Sequence, residues 1–138
     1  MQRQAGNWCR QEEDCIEEAV YRYQIQNSEG HAPTGLFFLS GDQGRDPSDE
    51  ALSRLESSSY HVRPVSQSVN DHTVIKDRET GEPGVILSMG KISRPDKGDA
   101  AVDLSAYSGW GDVKGYVYLL KRGLNGWEVI ERKFALES

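Results

Sequence analysis

The sequence predicts an α+β fold in which a long N-terminal helix packs on a mostly antiparallel sheet, with a short second helix. Three observations carry this. Apolar residues recur at helical spacing between Trp8 and Gln26. From Tyr60 onward, apolar and alternating runs are divided by turns rich in Gly, Pro and Asp. No repeat, low-complexity segment or linker interrupts the 138 residues, so 1–138 reads as a single domain with one core.

The first helix is predicted over Trp8–Gln26. Trp8, Cys15, Ile16, Ala19, Val20 and Tyr23 share one face, Asn7 can cap the start, and Asn27, Ser28 and Gly30 are stop signals. Five acids between Glu12 and Glu18 suit the positive end of its dipole. Leu36–Ser40 reads as a short strand. Asp46-Pro47-Ser48-Asp49-Glu50 opens the second helix, with Asp46 as cap, Pro47 in the first turn and Ala51, Leu52 and Leu55 facing inward. His61–Ser66 reads as an edge strand, because Pro64 lacks a ladder donor. Thr73–Asp77 and Val85–Ile92 read as hairpin partners around the turn at 79–84, and Gly90 marks a bulge. Ala101–Tyr107 alternates. Gly115–Arg122 and Trp127–Leu136 form the last hairpin around Gly123-Leu124-Asn125-Gly126. Short turns between four long strands give an antiparallel meander, and one long helix covers it in a two-layer sandwich.

Net charge is −6 and no run of Lys or Arg occurs, which argues against nucleic acid and against anionic membrane surfaces. No apolar run approaches the ~20 residues of a membrane span. The polar stretch Met1–Gln11 lacks an apolar signal core, so the expected location is cytoplasmic. Within one regular helix Cys9 and Cys15 point about 120° apart at ~100° per residue. They therefore cannot pair with each other within that helix and are expected to be small, partly buried hydrophobes, with no ligand-spaced partners for a metal; an intermolecular disulfide through Cys9 is the alternative. No cofactor is implied.

In Gly115–Arg122, Tyr116, Tyr118 and Leu120 lie on one face and Val117 and Leu119 on the other. In the last strand, Trp127 and Val129 oppose Ile130, Phe134 and Leu136. A single helix does not cover two apolar faces, so a homodimer through the sheet is expected, with Tyr116, Tyr118 and Trp127 as interface residues. A small apolar ligand or a protein partner is the other candidate for that surface.

The helix with Glu12-x-x-Cys15-Ile16-Glu17-Glu18-Ala19-Val20, the Gly-interrupted sheet, and the ending Gly115-Tyr116-Val117-Tyr118-Leu119-Leu120-Lys121-Arg122 … Gly126-Trp127-Glu128-Val129 resemble cystatin-like domains. These include the nuclear transport factor 2-like superfamily and its small bacterial members of uncharacterised function. The resemblance implies a curved sheet wrapped around the helix, often with a conical pocket, and dimerisation through the sheet. It implies no activity, since such domains include isomerases, dehydratases, hydrolases and binding modules.

Glu12 falls within the apolar stripe, where a desolvated carboxylate is suited to proton transfer; otherwise it lies in the first turn beyond the sheet edge. His31, His61 and His72 fall in loops or at strand ends, and His72, beside Asp71, is the most suggestive of them. Tyr107, Ser108, Gly109, Trp110 and Gly111 form an aromatic loop of the kind that rims pockets. A pocket would therefore be lined by Glu12, Tyr23, Tyr107 and Trp110. There is no nucleophile elbow and no phosphate loop, and neither cysteine has a neighbouring His. The expected function is a non-catalytic binding or protein-interaction module. The alternative is a small pocket enzyme of isomerase or hydrolase type, with Glu12 or His72 as acid/base.

Overall fold

The structure is a computed structural model that describes residues 11–27, 35–71, 73–109 and 112–137. Helix α1 spans Glu12–Gln26. Gln11 is its N-cap in extended conformation, so the regular helix begins later than Trp8, and Asn7 and Trp8 lie outside the described residues. Three acids, Glu12, Glu13 and Asp14, occupy the first turn, where the helix dipole favours them. Ile16, Val20, Tyr21 and Ile25 are buried at the spacing of one helical face.

Strand β1 (Leu36–Ser40) follows. Helix α2 (Asp49–Leu55) is capped by Ser48, whose hydroxyl accepts from the Ala51 amide at 3.1 Å. The cap is therefore Ser48 rather than Asp46. Asp46 instead accepts from the Ser66 amide at 3.0 Å and its hydroxyl at 2.6 Å. Strands β2 (His61–Pro64), β3 (Ser68–Asn70), β4 (Ile75–Asp77), β5 (Val85–Ser93), β6 (Asp99–Tyr107), β7 (Val113–Gly123) and β8 (Gly126–Glu137) complete the chain. The main sheet has the order β2-β1-β5-β6-β7-β8, and β3 and β4 pair separately.

The fold is α+β and the sheet is mostly antiparallel, as expected, but it is not a pure meander. β1 runs parallel to both β2 and β5. The segment β1–α2–β2 is thus a parallel crossover, which places α2 beside α1 on one side of the sheet. β2 is an edge strand, as its proline suggests. The expected hairpin between Thr73–Asp77 and Val85–Ile92 reduces to a single bridge, Lys76 to Pro83. Beyond it Gly84 presses against β1: a Cβ there would lie 2.7 Å from the Leu36 carbonyl oxygen and 2.9 Å from the Phe38 ring. Only glycine lets the chain approach β1 this closely, and from that point β5 enters the main sheet.

Register shifts shape the long strands. In β5 the pairing with β6 slips between Met89 and Ile92, the bulge expected at Gly90. β8 slips twice against β7: Leu119 opposes Glu131 while Leu120 opposes Val129, and Gly115 opposes Leu136 while Tyr116 opposes Phe134. Each slip reverses the alternation. Phe134 therefore shares the face of Tyr116, with ring centroids 5.7 Å apart, and does not lie opposite Trp127 and Val129 as strict alternation predicts.

Two cores result. The main one lies between the helices and the inner face, built from Ile16, Val20, Tyr21, Ile25 and Leu55 against Phe37, Leu39, Leu87, Val102, Leu104, Tyr118 and Leu120. The smaller one joins Leu36, Phe38 and Ile75, with Ile86 and Tyr107 packed on it, where β4 covers the outer face near β1. Every residue of β1 is buried, because both of its faces carry a core. No described helix is long and apolar enough to cross a membrane.

Candidate functional site

Among the described residues expected to line a pocket, Glu12, Tyr23 and Tyr107 are not brought together. Glu12 is exposed and bridges two arginines, Arg94 at 3.2 Å and Arg122 at 3.1 Å. Arg94 also donates to the carbonyls of Lys97 and Asp99, each at 2.9 Å, and its guanidinium lies 5.0 Å from the Trp127 ring centroid. Glu12 thus clips the start of α1 to the β5–β6 turn and the end of β7, the position beyond the sheet edge. Tyr23 stacks edge-on against Tyr118 at 5.6 Å, and Arg132 lies over the rings of Tyr116 and Tyr23. Tyr118 is fully buried and donates to the Gln24 side chain. Burial pushes its phenol up to about 12, with Arg132 acting in the opposite direction. Of the three expected interface residues, Tyr118 is accounted for within one chain's core, and Tyr116 and Trp127 pack against that core's rim. Tyr107 belongs to the small core on the opposite face of the sheet. Trp110, His72 and His31 lie outside the described residues. His61 is exposed and pairs with Glu56 at 2.5 Å.

The described cavity with converging polar groups lies elsewhere, between α1 and the segment from Arg45 into α2. Its volume is about 240 Å³ and its walls include Asp14, Glu17, Glu18, Tyr21, Arg45 and Asp46. Glu17 and Tyr21 are four residues apart on α1 and so present side by side. Glu17 and Glu18 are only 8% and 7% exposed. The Glu18 carboxylate is gripped through both oxygens by Arg54 Nε at 2.9 and 3.1 Å and receives Arg22 at 3.1 Å. Glu17 has a looser partner: a single nitrogen of Arg45 reaches its two oxygens at 3.0 and 3.3 Å. Burial raises the Glu17 pKa, and the Arg45 guanidinium only partly offsets that rise.

Tyr21 is 2% exposed, and its hydroxyl has no hydrogen-bond partner among the described residues. Burial, reinforced by the Glu17 carboxylate beside it, raises its pKa and keeps the phenol protonated. No family model, no curated protein and no solved structure matches this chain.

Of the two readings of Glu12, the structure places it in the first turn, paired with Arg94 and Arg122, and the buried acids of the helix are Glu17 and Glu18. The signal for them in the sequence is the i, i+4 pair Glu17 and Tyr21 on the edge of the apolar stripe, together with Arg45 ahead of the second helix and Arg54 within it.

Cys15 is disulfide-bonded, which corrects the expectation of a free small hydrophobe. The geometric objection to pairing assumed a regular helix from Trp8 onward. Helix α1 begins only at Glu12, and Cys9 lies outside the described residues.

Proposed function

We propose that the protein is a non-catalytic binding module whose ligand seat is the cavity between α1 and the start of α2. The Tyr21 hydroxyl carries this reading: it is buried without a partner among the described residues, on a side chain that lines the cavity. Such a group costs about 1–3 kcal/mol when left unsatisfied, and a ligand that supplies the missing hydrogen bond removes that cost. Tyr21→Phe is the test, because it deletes only the hydroxyl. The free variant should be as stable as the wild type or up to about 1 kcal/mol more stable. A panel of small amines, guanidines, carboxylates and polyols should raise the melting temperature of the wild type for at least one class. That response should vanish in Tyr21→Phe. A clear loss of stability in the variant, with ligand responses unchanged, would count decisively against the reading.

A pocket enzyme would have to use Glu17 in place of Glu12. Binding is preferred because Glu18 is engaged by two arginines and, among the described residues, no His or Cys lines the cavity to act with Glu17.

The proposed oligomer is a homodimer through the outer face of β6–β8. There Ala101, Val117 and Leu119 are half-buried, with Asp103, Glu131 and Lys133 exposed around them. Size-exclusion chromatography with light scattering should give twice the chain mass at micromolar concentration; a clean monomer removes the proposal. The Cys15 disulfide favours an oxidising compartment over the cytoplasm, because cytosolic thiols are kept reduced.

A further inference from the structure

We infer that the cavity takes a compact organic cation, a guanidinium or a primary ammonium group, and that the Arg45 side chain is the internal cation it displaces. The inference rests on the binding reading above and adds the chemical class of the ligand. Four acids line the cavity against one arginine, Arg45. The Glu18 charge is already answered by Arg54, 13% exposed, and by Arg22. The Asp46 oxygens accept from Ser66 but carry further lone pairs. Glu17 depends on Arg45, whose side chain is 56% exposed and which offers one nitrogen instead of the two-nitrogen grip of Arg54. The Tyr21 hydroxyl, unpartnered among the described residues, lies close enough to feel both charges of this pair, and its oxygen can accept. Guanidinium and ammonium groups only donate, so they match a wall of carboxylate and phenol oxygens; a carboxylate or phosphate would meet like charge. The volume of about 240 Å³ is below the range of roughly 300–1,000 Å³ typical of drug-sized ligands, so a small head group fits and a large ring system does not.

Arg45 is built to leave. Its backbone is held by the bond from the Gly41 amide to its own carbonyl, at 2.7 Å, which does not involve the side chain, and its guanidinium lies over Gly41. Its guanidinium shows which chemistry Glu17 accepts, and its exposure shows that this grip is weak.

The test titrates the full chain with methylguanidine, ethylamine, ethylene glycol and acetate, probes of similar size, followed by the amide chemical shifts of α1. Methylguanidine and ethylamine should bind the wild type weakly and compete with each other. Arg45→Ala should bind both about fivefold more tightly, the gain from removing a competing, half-exposed ion pair. Arg45→Gln, which keeps most of the side-chain length, should rank the probes the same way. Adding Tyr21→Phe to Arg45→Ala should reverse the gain. Tyr21-dependent binding of ethylene glycol or acetate in preference to the cations overturns the ligand class and leaves the binding module standing. Binding of no probe to either Arg45 variant, with native spectra, overturns both.

Discussion

Arg54→Ala is expected to destabilise the fold by about 3 kcal/mol, the cost of leaving a desolvated carboxylate without its main partner. Glu18 is 7% exposed, and Arg54 holds both of its oxygens from a side chain that is itself 13% exposed. The remaining partner, Arg22, is 41% exposed and offers one nitrogen at 3.1 Å. Arg22 also donates to the Arg54 carbonyl at 3.3 Å, so the cluster is the polar seam between α1 and α2. Removing Arg54 therefore leaves a charge that α1 has taken out of water and that one exposed guanidinium cannot fully compensate. The double variant Glu18→Leu/Arg54→Leu should fall within about 1 kcal/mol of the wild type, because a buried pair replaced on both sides sheds its desolvation cost along with its attraction. Urea unfolding of the two single variants and the double gives the coupling directly. If Arg54→Ala costs less than about 1 kcal/mol, Glu18 is solvated and the account of a closed seam fails.

That seam also marks where sequence reasoning stops. Ile16, Ala19, Val20 and Tyr23 recur at helical spacing, so α1 was legible from periodicity alone. Glu17 and Glu18 were not, because their burial is imposed by α2, a neighbour that periodicity within one helix cannot see. The antiparallel strands β5–β8 were legible from alternation and turn residues. The parallel placement of β1 was missed, although Leu36-Phe37-Phe38-Leu39 is an unbroken apolar run and all five residues of the strand are buried, the mark of a strand with a core on both faces. Alternation also failed across the β8 bulges. An inserted residue there changes which face Phe134 takes, and nothing in its own identity announces the change. Gly84 and Gly109 fall in turn and loop sequence, yet both act as contact points. A close approach between distant backbones leaves no local pattern beyond the glycine itself.

Gly109→Ala is the second large effect, expected at about 2–4 kcal/mol, because it combines backbone strain with a collision. Gly109 has φ +100°, a conformation that L side chains rarely adopt. A Cβ there would stand 2.7 Å from the Thr73 carbonyl oxygen and 3.2 Å from Val74 Cα, both backbone atoms that cannot rotate away. Neither side of the contact can yield easily. Thr73 and Val74 are pinned by Asp71, whose carboxylate accepts from the Val74 amide at 2.9 Å, the Thr73 hydroxyl at 2.8 Å and the Thr73 amide at 3.1 Å. Those bonds, the Val74 amide first among them, hold the Asp71 carboxyl down to about 2. On the other side, the Ser108 and Asp112 side chains bond at 2.8 Å and the Asp112 amide returns to the Gly109 carbonyl at 2.9 Å, closing the loop around the glycine. The strain must therefore move the β6–β7 loop away from the segment that leads into β4. Ile75, at the centre of the small outer core, should lose protection with it. Amide exchange measured site by site should show this as faster exchange at Ile75 and Gly84, whose amide bonds the Ile75 carbonyl at 2.9 Å, while α1 and its contacts with β7 keep their protection. Uniformly faster exchange across both cores would mean that the two fold as one cooperative unit and that the Gly109 contact has no local role.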